Sequence, residues 1–390
     1  MTRKNYVLTG FIFVLLMGIV FAGETEKVVI GDRLTLNSKV LNEERTVLVY
    51  RPEGYERYQT QYPVLYLLDG GYHFHHVTGI VQFLSSQGYI PQLVVLGLPN
   101  TDRRRDFTPT KINNVKASGG ADDFMEFMEK ELFPFVEENY RVAPYRILVG
   151  HSLCGMFSIY SLFTKPDLFS AYIAISPWLL HNDQLLVKNA EKMFKKNKSL
   201  NKFLFMTVGN EPELIPVLDQ FSTYLLEYAP EKLTWKYENM QNDTHGTVVH
   251  NSVYNGLLEH YLDWRLPHDL GKNAVTTIKK HYKKLSEKYG YPVQAPESQL
   301  NQLGYMILNS KMYDQAIAVF KLNVEKYPDS PNVYDSLGEA YENSGELKLA
   351  LANYEIAVDK GKIAEDNNLK TFEEHAERVK KKMNETSQVF

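Results

Sequence analysis

The stretch Tyr145-Arg146-Ile147-Leu148-Val149-Gly150-His151-Ser152-Leu153-Cys154-Gly155 decides the fold of this chain. Tyr145 to Leu148 reads as a short apolar strand and Met156 to Phe163 as a helix, with Ser152 at the turn between them. A serine so placed, with glycine two residues earlier, has the local form of a nucleophile elbow, in which a sharp turn exposes the hydroxyl at the end of a strand. Such a turn needs small neighbours, because strand and helix approach closely and a bulky group would clash. Gly150 meets the need on one side. On the other side the small position is Cys154, and glycine follows one place later at Gly155. Inside so packed a turn, Cys154 reads as a small buried hydrophobe and not as a second nucleophile. The bare pattern recurs by chance, so the surrounding chain has to supply the context.

Working outward, Pro63 to Leu68 is a continuous apolar run, the mark of a strand buried on both faces. It runs into Asp69-Gly70-Gly71-Tyr72, a turn whose glycines let backbone N–H groups converge, and then into a helix over Phe74–Ser86. Leu93–Gly97, Ala171–Ile175, Phe203–Val208 and Leu233–Tyr237 read as further strands. Val28–Ile30, Leu34–Leu36 and Thr46–Tyr50 read as opening antiparallel ones. Amphipathic helices are expected over Asp122–Asn139, Gln184–Lys195 and Pro216–Tyr228, and a loop over Asn100–Lys111. Strands alternating with helices imply an α/β fold, a mostly parallel sheet covered on both faces.

Past Pro267 strand patterns stop. Leu303-Gly304, Ala316 and Phe320 recur 34 residues later as Leu337-Gly338, Ala350 and Tyr354, the tetratricopeptide pattern of large and small residues on two packed helices. The expected organisation is therefore a sheet domain over 27–266, a helical linker over 267–295, two repeats over 296–364 and a helical tail over 365–390. Two repeats fall short of the three or so that stand alone, so they are expected to lean on a helix near Ala274–Tyr289 and on the basic tail.

The N-terminus carries Arg3 and Lys4, an apolar run from Val7 to Phe21, and then Ala22-Gly23, which reads as a signal peptide over 1–22. The run is too short for a typical membrane span, so an exported, periplasmic or secreted protein without stable membrane insertion is expected. Cys154 is the one cysteine, so no internal disulfide can staple the core. A net charge of −4 gives no reason to expect nucleic-acid binding.

A serine nucleophile needs a base, a group that orients the base, and donors for the oxyanion. On an elbow of this kind the acid and then the histidine follow the serine in sequence. After the strand ending at Val208 come Glu211 and Glu213, of which Glu211 is preferred for the orienting carboxylate. After the last strand, Asp243-Thr244-His245-Gly246 offers His245 as base; His250 falls where a helix should have begun. The oxyanion donors would be the backbone N–H of Leu153 and that of Gly71 or Tyr72. Arg103-Arg104-Arg105-Asp106 reads either as a solvated charge run or as an active-site wall facing an anionic or polar substrate. His73, His75 and His76 invite a metal, but ligands from one helix start with no acidic residue beside them make a poor site, so no metal or cofactor is expected.

These residues resemble the family that includes esterase D, siderophore esterases, feruloyl and acetyl-xylan esterases, and the antigen 85 mycolyltransferases. The resemblance covers roughly Asn42–Trp264. It rests on Glu44-Arg45, Tyr62–Gly70, Arg103–Pro109, Tyr145–Ser152, Ile175-Ser176-Pro177-Trp178 and Asp243–Gly246. It implies an α/β-hydrolase with Ser152 as nucleophile and His245 as base, and with Arg103, Asp106 and Trp178 near the substrate. Some siderophore-esterase relatives work with a Ser–His pair alone, which leaves the acid open. The implied reaction is hydrolysis of an acylated carbohydrate, phenolic or siderophore-type ester. Alternatives are acyl transfer, or an inert domain whose repeats bind a partner protein.

Overall fold

The computed structural model describes residues 27–387 except 57–58, 113–114, 116, 268 and 271–272. The expected signal peptide lies outside the described residues. Residues 27–30 carry no strand. Val28-Val29-Ile30 has the β-branched composition of a strand, yet pairing starts only at Asp32, opposite Val49.

From Gly31 onward the chain is one unit built around an eight-stranded sheet. The strands are β1 (Asp32–Ser38), β2 (Glu43–Tyr50), β3 (Tyr62–Leu68), β4 (Val94–Leu98), β5 (Val142–His151), β6 (Ala171–Ile175), β7 (Phe203–Val208) and β8 (Thr234–Asn239). Their order is β1-β2-β4-β3-β5-β6-β7-β8. β1, β2 and β4 pair antiparallel, and from β4 to β8 every pairing is parallel. One edge of the sheet therefore collects the carboxyl ends of β3, β5, β6, β7 and β8. Parallel strands need covered faces, and β3, β4, β6 and β7 are buried along their whole length.

The crossovers are α1 (Gly70–Ser86), α2 (Arg103–Phe107), α3 (Ala121–Phe127), α4 (Phe133–Asn139), α5 (Leu153–Thr164), α6 (His181–Lys188), α7 (Ala190–Lys196), α8 (Ile215–Tyr228) and α9 (Val248–His260). The period-two alternation of the strands splits the core into two layers. Leu65, Leu67, Ile147, Val149, Ile173 and Phe205 face α1 and α9. Val64, Tyr66, Leu148, Tyr172, Leu204 and Met206 face α3, α5 and α8.

Three local expectations change. The helix read over Asp122–Asn139 is interrupted by a π-helical turn, Met128–Leu132, between α3 and α4. Pro134 at the start of α4 lacks an N–H and would clash with the carbonyl four residues back, and the wider turn accommodates it. The helix read over Gln184–Lys195 is two helices, α6 and α7, parted at Asn189. The loop over Asn100–Lys111 contains α2, whose N-cap Asp102 accepts from Arg105 N–H at 3.0 Å.

The remainder is helical: α10 (Ala274–Tyr289), α11 (Glu297–Asn309), α12 (Tyr313–Lys326), α13 (Pro331–Ser344), α14 (Leu347–Ile363) and α15 (Leu369–Ser387). The repeated glycines sit where two helices meet an aromatic ring. A Cβ on Gly304 would lie 2.5 Å from Phe320, and one on Gly338 would lie 2.8 Å from Tyr354. Arg378 and Lys382 of α15 both bond Glu342 of α13, which holds the last helix on. At the other end Tyr282 and Tyr289 of α10 join Tyr145, His260, Tyr261 and Trp264 in the α1/α9 layer, so sheet and helical segment share one core. No helix of the described residues is long and apolar enough to cross a membrane.

Candidate active site

The elbow is built by close backbone approach. Ser152 has φ 58° and ψ −113°, strained for a residue with a side chain. Its N–H donates to Ile175 O at 2.8 Å, and its carbonyl accepts from Met156 and Trp178 N–H, each at 3.0 Å. A Cβ on Gly150 would lie 2.3 Å from Cys154 O, and one on Gly155 would lie 2.8 Å from Ile175 O. The second tight position is thus served by Gly155, while the Cys154 side chain is fully buried. Burial raises the Cys154 thiol far out of its ordinary range, followed by the Asp69 charge, so it stays protonated. Leu153 opens α5, and first-turn N–H groups of a helix have no intrahelical acceptor.

β7 and β8 end in two loops that are laced together. Asn210 N–H donates to Asp243 O at 2.7 Å, and Met240 N–H donates to Val208 O at 2.7 Å. This brings Glu211 to His245, whose Nδ1 pairs with Glu211 Oε2. The other carboxylate oxygen accepts from Ser176 Oγ and, at 3.1 Å, from Gly209 N–H. Glu213 is exposed, as is His250 in the first turn of α9. Among the described residues Ser152 Oγ has no side-chain hydrogen bond; such contacts commonly tighten only around substrate.

His151, between Gly150 and Ser152, packs its ring 4.4 Å from that of His245. Burial pushes its pKa down to about 4, helped by His245 and His73, so the imidazole is neutral at pH 7. His76 is likewise pushed down to about 4 by burial and by the neighbouring His73 and His250. Below them lies Asp69, buried at the end of β3. Burial works to raise its pKa, but the hydrogen bonds of Arg103 and Asn100 outweigh that and hold it below the usual carboxylate range. Arg103 clamps it through Nε at 2.7 Å and Nη2 at 2.9 Å, and a further bond of 3.1 Å reaches His151 O. Asp69, His73 and His151 could bring three ligand atoms within 4.8 Å of one another. The Asp69 carboxylate is already committed to a guanidinium, whose charge opposes a second cation there.

Two sequence-derived assignments are corrected by this geometry. Tyr72 N–H is committed to Asp69 O at 2.9 Å, so it has no hydrogen left to offer an oxyanion. Asp106 is 1% exposed, bonded by Arg45 at 2.8 Å and by Arg105 at 2.8 Å, with Glu43 completing the group. A carboxylate so enclosed has no surface to offer a substrate. Arg103 and Trp178 differ: the Arg103 side chain keeps 36% exposure, and Trp178 is 37% exposed beside Ser152. The sequence reading gave Ser176, Asp69 and His151 no part in the site, although each stands at the carboxyl end of a strand, where α/β sites collect.

Residues 38–220 match the family model described as "Putative esterase". Ferri-bacillibactin esterase BesA of Bacillus subtilis is 33% identical over 162 residues, 36% of this chain and 56% of that protein. The siderophore triacetylfusarinine C esterase of Aspergillus fumigatus is 30% identical over 148 residues, covering 35% of this chain and 51% of that protein. The chain thus spans about half the length of these curated relatives. Among solved structures, an IroE-like serine hydrolase from Shewanella oneidensis is 29% identical with a TM-score of 0.68, covering 76% of this chain and 99% of that one. Residues 38–220 thus carry a similarity to this esterase family, and the mostly parallel sheet with its helices has the α/β-hydrolase fold of the IroE-like neighbour.

Proposed function

We propose that the protein is a serine carboxylic-ester hydrolase. Ser152 Oγ attacks the ester carbonyl while His245 takes its proton, and Glu211 orients the imidazole and balances its charge. Leu153 and Gly71 N–H groups receive the oxyanion. As the C–O bond to the alcohol breaks, His245 returns the proton to the leaving oxygen. Water, activated by the same imidazole, then attacks the acyl-enzyme and releases the acid. The pairing of Glu211 with His245 beside the Ser152 elbow carries this reading, since a carboxylate on Nδ1 leaves Nε2 free to act as base.

The names of the relatives support a siderophore-type ester as substrate, within a range that extends to phenolic and acylated-carbohydrate esters. Arg103 and Trp178 would meet it at the rim. We further read residues 1–22 as an export signal and α11–α14 as two tetratricopeptide units offering a surface to a partner protein. Hydrolysis of p-nitrophenyl esters and of a catecholate trilactone, by the protein and by Ser152→Ala, tests the reaction. Release by the parent that vanishes in the variant is the expected result. Equal background release by both overturns it.

A further inference from the structure

We propose that Ser176 is a positioning residue of the site, its hydroxyl holding Glu211 in the rotamer that faces His245. The inference rests on the reading of Ser152, His245 and Glu211 given above. Ser176 is the first residue after β6 and is 0% exposed. Its N–H donates to Thr207 O at 2.8 Å, fixing it to β7 just before the loop that carries Glu211. Its Oγ donates to Glu211 Oε1, the oxygen that does not meet His245. Gly209 N–H donates to the same oxygen at 3.1 Å, so two donors pin one side of the carboxylate and leave the other for the imidazole. Without them the flexible glutamate would be free to rotate about its side-chain torsions, and His245 would lose a fixed partner.

The backbone argues the same way. Ser176 has φ 39°, a region that glycine enters without steric cost and other residues seldom occupy. A role in the turn alone would be served better by glycine. The hydroxyl is what glycine lacks, and in this structure it is spent on Glu211.

The test is Ser176→Gly in the whole protein, measured for kcat, KM and Tm on a p-nitrophenyl ester. The expected result is a fall in kcat of about ten- to a hundredfold, the scale of a lost hydrogen bond to a charged group. KM should stay within about twofold of the parent and Tm should be unchanged or raised. In the Glu211→Gln background, Ser176→Gly should cost almost nothing more, because the two act as a unit. A Ser176→Gly protein with parental kcat overturns the proposal. So do losses that multiply in the double variant, or a kcat that falls only together with Tm. Ser176→Ala carries the same readouts if the glycine variant does not fold. Ser152→Ala is assayed alongside. Activity surviving there sinks the underlying reading, while a dead Ser152→Ala beside a fully active Ser176→Gly sinks only the role of Ser176.

Discussion

Acid should loosen the join between the sheet and the helical segment, and His260 is the group through which it acts. This residue ends α9, 5% exposed, its Nε2 sharing a 2.9 Å hydrogen bond with Tyr145 Oη. Phe203, Tyr261 and Tyr289 pack around its ring at centroid distances of 4.6, 4.6 and 5.7 Å. Burial pushes its pKa down from 6.5 to about 3, with Lys288 adding to the effect and Asp263 opposing it. A lowered folded-state value means that the unfolded chain takes up a proton first as pH falls. The stabilisation is therefore complete above pH 6.5 and drains away between pH 6.5 and about pH 3. At pH 5 the loss from this group is about 2 kcal/mol, with a slope of about 1.4 kcal/mol per pH unit. His260→Gln retains a group that can bond the Tyr145 hydroxyl and removes the titration. Urea unfolding at several pH values between 7.5 and 4.5 should give a shallower pH dependence for His260→Gln than for the parent, by about one proton. His151 and His76 titrate in both proteins and cancel in the difference. Parallel curves would refute the argument, because His260 would then be free to protonate without disturbing the core around it.

Four other substitutions test separate parts of the structure. Glu211→Gln should lower kcat on a p-nitrophenyl ester about a hundredfold or more, whereas Glu213→Gln, on an exposed side chain, should stay within about twofold; equal effects would undo the assignment. Gly155→Ala puts a Cβ 2.8 Å from Ile175 O, a backbone atom already bonded to Ser152 N–H, and should cost about 1–3 kcal/mol in chemical denaturation together with activity. Gly338→Ala drives a methyl into the Tyr354 ring and should destabilise by a similar amount. Limited proteolysis should then cut first within α13–α14, with the sheet domain the later to yield.

Much of the fold is legible because it rests on local pattern. The unbroken apolar run Pro63–Leu68 could only be a strand buried on two faces, and it is β3 at the centre of the sheet. The recurrence of Gly304 and Phe320 as Gly338 and Tyr354 is legible for a steric reason, since an aromatic ring occupies the volume where a Cβ would stand. What escapes is non-local. Asp106 looks exposed in a run of arginines, and nothing nearby announces that Arg45, 61 positions earlier, comes to meet it. Placing Asp69 likewise requires knowing that Arg103, 34 positions on, folds back across it. A charged residue reads as solvated until its counter-charge is located, and only the topology locates it.

The same distinction explains why Ser152, His245 and Glu211, the proposed nucleophile, base and acid, can be picked out from the sequence while the groups around them cannot. Nucleophile, base and acid are constrained in chain order, because each stands on the loop after a particular strand of a sheet whose direction is set. Support for them carries no such order. Ser176 follows β6, His151 ends β5 and Asp69 follows β3, and each does its work through an atom supplied by another strand's loop. Their selection acts on distance and not on spacing, so a serine before a proline looks like any turn residue until Glu211 is seen against it. A site of this kind should then tolerate change in the lengths of its loops more readily than change in the residues that cross-link them. Lengthening the loop between His245 and α9 by one glycine should cost less activity than Ser176→Gly, and the opposite ranking would mean that loop length, and not the cross-links, holds the site together.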